Sequence, residues 1–479
     1  MKKNIALFFL ALLSALPRMA AAGENDYSDG IIIINEDWYG HQNSTVNYLL
    51  PDDPAGDYWQ YRVIQKENPG IELGCTNQYG AIWNGRIYMI AKQEKDPGAQ
   101  IIGGRISVAD AKTMKMIKQL QLIDPSGKQC DGRAFVGVSD KKGYVSSSNG
   151  MWILNLETLE IEGQVEGSAN PNAGGDNDKP AGDPTSSLYY GQTGTMMLAA
   201  GKVFAVHQQY GMLVVDPQTD RVEQILDMEI VDDAIEQDTG TRPRRTSGIG
   251  STIVKSKDGN LWYSASKNVQ GTGSSVPYLI RLDPVTLERE VIKISGDGMY
   301  PPANSWYAWT PDPFCASEVS NTLYWCGGDN SWFANYRVFK YDIDSRRIEK
   351  IIDYTSGDWH LYGCSLGIHP KTDELYASLF HQFSDPTYMT VRYDNKGNVI
   401  KEYPMISNYW FPSLFVFPQA KGNSGIDDVT VEVTETYGDL YTIGGVLVAN
   451  KVEYGQWPAL QRGIYVWKTA SSACKVLIR

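Results

Sequence analysis

Short apolar runs, many alternating with polar residues at a period of two, recur along this chain and are separated by polar turns. One turn signal recurs six times: an Asx residue followed three positions later by Thr, Ser or Gly, as in ADAKT (Ala109 to Thr113), LNLET, VDPQT, LDPVT (Leu282 to Thr286), YDIDS and YDNKG. Each copy ends one apolar run and precedes another, as in VVDPQTDRVEQIL. An Asx side chain accepts from backbone N–H groups two and three residues on, which suits a tight strand-to-strand turn. Counted between Asp110, Asn155, Asp216, Asp283, Asp342 and Asp394, the copies lie 45, 61, 67, 59 and 52 residues apart, the period of a four-stranded blade with loop insertions. Strand pairs such as GRIYMIAK with RISVAD and KVFAVHQQ with MLVVD follow inner-strand candidates such as YGAIW and TMMLAA, and outer strands such as VEQIL follow each turn. These runs account for six blades.

A seventh is expected to be composite. GIIIINEDW (Gly30 to Trp38) and YRVIQK lack an inner strand, and FPSLFVFP (Phe411 to Pro418) lacks partners. Pairing them removes exposed sheet edges. The expected fold class is all-β: a seven-bladed β-propeller closed by its N- and C-terminal strands, plus a small C-terminal β domain. The domains follow as a signal peptide over 1–22, the propeller over 30–418, a Gly-rich linker over 419–428 and a small β segment over 429–479. The signal reading rests on Lys2 and Lys3, the apolar stretch Ile5 to Leu16 and the small residues Ala20 to Ala22. It predicts export to the cell surface, outer membrane or periplasm. The first cysteine is Cys75, so no lipid anchor near the cleavage site is expected.

The charge changes the picture in one respect. The formal net charge of −13 becomes −16 once Lys2, Lys3 and Arg18 are removed, which argues against nucleic acid and anionic lipid as partners. Export permits disulfides, and in FCASEVSNTLYWC a two-residue turn at Ser320–Asn321 would set Cys315 directly opposite Cys326.

Scaffold does not give function, so candidate chemistry is sought on the loops. His41, His207 and His381 follow second strands, and each is followed by Gln, at Gln42, Gln208 and Gln382. His360 begins an inner strand, whereas His369 falls in a hairpin turn at the opposite end. The same end is expected to gather Trp38, Asn43, Asn77, Tyr79, Lys92 and Arg133, the pair Arg244 and Arg245 in a long polar loop, and Trp306, Trp309, Trp332 and Trp410. Aromatic faces combined with hydrogen-bond donors suit a large polar-aromatic small molecule. HExxH, P-loop and dinucleotide-binding fingerprints are absent. The pattern therefore points to a monomeric, non-enzymatic binding module and names no cofactor. A metal-dependent propeller hydrolase or lactonase and a structural or protein-interaction propeller are the alternatives.

The opening GIIIINEDWYGHQNSTVNYL, with Asn35, Glu36, Trp38, Gly40 and Asn43, resembles the start of a Bacteroidota family of exported, YncE-like seven-bladed propellers. That family includes BtuG-type surface proteins that capture cobamides and pass them to an outer-membrane transporter. The resemblance implies a non-enzymatic role in capturing a corrinoid-like ligand for uptake, with a transporter as partner. The elements YTIGG, LQRGIYVW and the terminal KVLIR resemble Bacteroidota C-terminal sorting domains.

Overall fold

Six four-stranded antiparallel sheets and one five-stranded antiparallel sheet follow one another along the chain in a computed structural model. The structure describes residues 25–174, 186–266, 276–296, 298–302, 310–327, 334–382 and 385–418, together with 437–442, 446–453, 456–458, 460, 463–469 and 473–478. The signal peptide and linker readings fall outside these residues.

Sheet I is composite, with Pro412–Val416 innermost, then Ile31–Asn35, Thr45–Leu49 and Trp59–Gln60. Sheets II to VI begin, innermost strand first, with Cys75–Trp83, Gly132–Gly137, Thr193–Ala199, Gly248–Lys255 and Phe314–Ala316. Each continues outward through consecutive antiparallel strands, ending for example at Met116–Leu120 in sheet II and Arg347–Asp353 in sheet VI. Sheet VII runs from His360–Ile368 outward to Val399–Pro404, and the short strand Ala334–Asn335 pairs on its inner edge. The innermost strands touch in cyclic order from sheet I to sheet VII and back to sheet I. A separate four-stranded sheet lies in the tail, in the order Leu447–Glu453, Tyr437–Thr442, Gly463–Lys468, Ala473–Ile478. No helix among the described residues is long and apolar enough to cross a membrane.

The period-2 alternation acquires its meaning from these neighbours. Each sheet has a sheet on either side, so both faces of its inner strands are apolar and the core is divided into slabs. Ile32, Ile34, Ile87 and Met89 fill the slab between sheets I and II. Phe204, Met212, Tyr263 and Ile280 fill that between IV and V, and Ile31, Ile33, Tyr376 and Phe415 that between VII and I.

All six Asx turns form. Asp110 Oδ1 accepts from the amides of Lys112 and Thr113 at 3.0 and 2.8 Å, and Asp283 Oδ1 accepts from Val285 and Thr286 at 2.8 and 3.1 Å. Asn155, Asp216, Asp342 and Asp394 accept in the same way. In the first five, the residue four places on is left-handed: Met114, Leu159, Asp220, Leu287 and Arg346 have φ between 55° and 63°. The sixth turn uses Gly397 at φ 86°, the residue type that takes this conformation without strain.

Two expectations are corrected. YRVIQK is not a strand of the closing sheet: Val63–Glu67 is a helix, and Val63 and Ile64 bury into the slab between sheets I and II. Thr45–Leu49 and Trp59–Gln60 take the outer places. The Cys315–Cys326 disulfide is not formed. The Ser317 amide donates to the Thr322 carbonyl, so the loop is Glu318–Asn321, held by Ser317 Oγ accepting from the amides of Val319 and Ser320. This register pairs Cys315 with Tyr324 and brings the Cys326 amide to the Pro313 carbonyl. The two cysteines become diagonal neighbours, about 7–8 Å apart in such a ladder and beyond normal disulfide reach. Cys315 is a thiol.

Ile34, fully buried in the strand that closes the ring, is expected to be costly to truncate. Ile34→Ala should lose about 3 kcal/mol in chemical denaturation, whereas Val399→Ala on an outer strand should lose less than about 0.5 kcal/mol.

Candidate functional site

Inner strands start, and second strands end, at the same end of every sheet. In sheet IV, Thr193 at the start of one faces His207 at the end of the other. The inner ladders slip there in sheets II, III, IV, V and VII, for example at Asn77/Tyr79, Gly132/Ala134 and Thr193/Met196. Extra residues in a bulge bend a strand and re-aim its side chains. Here they reach neighbouring sheets. Gln78 of sheet II donates to Glu36 beyond the second strand of sheet I at 2.8 Å, and Tyr362 of sheet VII donates to the same carboxylate at 2.6 Å. Arg133 Nε of sheet III donates to Gln192 Oε1, before sheet IV, at 2.9 Å, and the Ile253 amide of sheet V donates to Thr195 Oγ1 of sheet IV at 2.8 Å.

On sheets II to IV this end forms a buried polar cluster. Asp131 accepts from the Tyr189 hydroxyl at 2.7 Å and lies 3.8 Å from Arg133. The Lys92 ammonium lies over the Tyr189 ring at 5.4 Å. Burial lowers the Lys92 pKa to about 8, opposed by Asp131 and reinforced by Arg133. Burial likewise raises the pKa of Glu36, against the hydrogen bonds from Tyr362 and Gln78.

On sheets I and VII the same end is aromatic. His41, exposed, stacks on Tyr409 at 4.3 Å with an interplanar angle of 16°, and Trp38 packs against both, 4.7 Å from His41 and 5.4 Å from Tyr409. Phe411 continues the seam from Trp38 towards Phe380 and His360. His381 Nε2 lies 3.9 Å from Asp358, beside Trp359. Burial and neighbouring His381 lower the pKa of His360.

The other anticipated residues divide between cover and core. Arg244 and Arg245 are exposed, and the polar loop before them contains the helix Glu229–Thr239, whose Asp233 and Glu236 bind Arg242. Trp410 is buried, donates from Nε1 to the Ile406 carbonyl at 2.9 Å and stacks on Tyr61. Asn43 is buried between the Asp96 amide and the Ile101 carbonyl, Gln42 bonds Asp37, and Asn77 sits under Ser44. Tyr79 is half-buried, its pKa raised to about 12 by burial. Gln208 and His207 are buried. Trp306, Trp309, Trp332 and the side chain of Gln382 lie outside the described residues. Asp131, Tyr189, Gln192 and Thr193 escaped the sequence reading. The available signal was a charged pair, Asp131 and Arg133, at the start of an otherwise apolar strand. Among the described residues no three His, Cys, Asp or Glu side chains are grouped to hold a metal ion.

His207 gives this end a fixed hydrogen. Its Nδ1 accepts from the amides of Gln209 and Tyr210 at 3.2 and 3.1 Å, so the neutral ring carries its proton on Nε2. Burial lowers its pKa to about 3. Because the folded pKa lies below the unfolded value, the contribution to stability is complete above about pH 6.5 and declines as pH falls towards 3. Nitrogen-15 NMR should show one Nε2–H tautomer for His207, with no titration between pH 5 and pH 8.

The sequence profile described as a domain of unknown function, DUF5074, matches residues 29–418. No curated protein matches. Among solved structures, the extracellular domain of a protein described as a one component system from B. thetaiotaomicron is similar at 13% identity and a TM-score of 0.40, covering 71% of this chain and 35% of that one. This chain thus spans about a third of that protein's length. A protein of unknown function from Bacteroides caccae is similar at 14% identity and a TM-score of 0.34, covering 65% of this chain and 93% of that one. With the profile covering all seven sheets, the chain belongs to the DUF5074 family.

Proposed function

We propose that the seven sheets are the blades of a YncE-like β-propeller and that the protein is an exported, non-enzymatic binding module. It captures a bulky planar ligand with a polar edge, of the corrinoid type, at the end where the inner strands begin, for transfer to an outer-membrane transporter. The observation that carries this reading is the aromatic group at the seam of sheets I and VII: an exposed His41 stacked on Tyr409 and backed by Trp38. A platform of this kind offers a planar ligand a face at little conformational cost. The exposed Arg244 and Arg245 and the buried polar cluster of sheets II to IV supply donors for the ligand's edge.

Thermal unfolding of the full chain with cobalamin, cobinamide, haem, oligosaccharides and divalent metals tests it. A corrinoid at a hundredfold excess over Kd should stabilise the protein by about 2.7 kcal/mol. The double substitution Trp38→Ala with Tyr409→Ala should weaken binding at least about tenfold, since each lost ring contact is worth roughly 0.5–1.5 kcal/mol. No shift with any planar ligand, or unchanged affinity in the double variant, sinks the reading. A shift with a metal alone favours the hydrolase alternative.

A further inference from the structure

We infer that the buried corner of sheets III and IV around Thr193, His207 and Gln208 is a subsite for a primary carboxamide group of the ligand. The argument is an inventory of hydrogens. The Nε2–H of His207 is fixed by the two amides on Nδ1 and meets no partner among the described residues. Gln208 is fixed in the same way: its Oε1 accepts from the Gln192 amide at 3.2 Å, and its Nε2 hydrogens meet no partner among the described residues. Thr193, opposite His207 in the ladder, has a hydroxyl without a partner among the described residues. All three side chains are essentially inaccessible, at 0%, 1% and 0% exposure for His207, Gln208 and Thr193.

On the same chain of contacts Asp131 Oδ1 is an acceptor without a partner among the described residues, and its other oxygen is held by Tyr189 and lies 3.8 Å from Arg133. Arg133 in turn holds Gln192, which pairs with Gln208. A single group that satisfied these atoms would offer an oxygen to the donors and a hydrogen to the carboxylate. A carboxamide does both. A carboxylate offers no hydrogen to Asp131, and a cation faces donors. Buried donors kept without partners are costly to a fold, and such costs persist where binding uses them. The half-buried Tyr210 ring, stacked on His207 at 4.3 Å, is the side chain that must turn aside to admit the group.

The subsite deepens the capture reading above but is tested apart from it. The probes are nicotinamide and nicotinate, which differ only in carboxamide against carboxylate, in thermal unfolding and calorimetry on the full chain. Nicotinamide should raise the unfolding midpoint saturably and nicotinate should not. Thr193→Val, which removes only the unmet hydroxyl, should leave the midpoint of the free protein unchanged or higher and weaken nicotinamide roughly threefold to tenfold. His207→Asn keeps an acceptor for the two amides, removes the Nε2–H and should weaken nicotinamide roughly tenfold. The double substitution at Trp38 and Tyr409 acts on other sheets and should reduce corrinoid binding more than these two do. The inference is overturned if nicotinamide gives no saturable shift, if nicotinate shifts the protein equally, or if Thr193→Val and His207→Asn bind nicotinamide as the parent does. Nicotinamide binding without corrinoid binding would retain the subsite and remove the capture reading.

Discussion

The pairing of Ile31–Asn35 with Pro412–Val416 is the constraint on which the arrangement depends. It joins segments as far apart as Ile34 and Ser413, 379 positions along the chain, and without it sheets I and VII would each present an open face. Bringing such distant segments together costs about 5 kcal/mol on the (3/2)RT ln n scaling. The four isoleucines of Ile31–Ile34, all buried, offset this, since full burial of such side chains is worth about 1.5–3 kcal/mol each. Polar locks sit on the same seam. Ser413 Oγ donates to the carbonyls of Ile34 and Asn77, and Glu36 takes hydrogens from sheets II and VII.

Closure also explains the division of labour between the two ends of the sheets. At one end, six Asx turns and their left-handed residues satisfy the backbone locally, so little polar capacity is left over. At the other, the inner ladders slip and side chains from bulged positions bond to the next sheet. There the strands leave charged groups buried together, Lys92 and Arg133 with Asp131, and donors fixed in place at His207 and Gln208. A polar cluster of this kind is a poor way to stabilise a core and a good way to hold hydrogens ready for a ligand. The aromatic seam on sheets I and VII lies at that same end and is the more exposed of the two.

Much of the fold was legible in the sequence because its signals are local. An Asx side chain bonds amides two and three residues away whatever the rest of the chain does, so Asp110, Asn155 and Asp283 announce their turns unaided. Alternating runs such as RVEQIL carry their period with them, and the composite closing sheet followed from counting unpartnered runs. The helix Val63–Glu67 was not legible, since a five-residue element with two adjacent apolar residues carries no decisive period. The Cys315–Cys326 pairing failed for a related reason. Two loop lengths fit the same residues, and Ser317 Oγ, by capping Val319 and Ser320, selects the longer.

For the site, the sequence determined which residue types end the second strands, because the His-Gln pairs follow those strands in order. It could not determine which of them face solvent. Trp410 and His41 read alike as loop aromatics, yet one is fixed in the core by its bond to Ile406 and the other is exposed on Tyr409. Nor could it bring Asp131, Arg133, Gln192 and Gln208 into one chain of contacts, which requires sheets III and IV to lie side by side. The sequence by itself determined the strands and turns, since both are decided within a few residues. Only the tertiary structure decided exposure, register and the meeting of donors with acceptors, because those depend on neighbours distant along the chain.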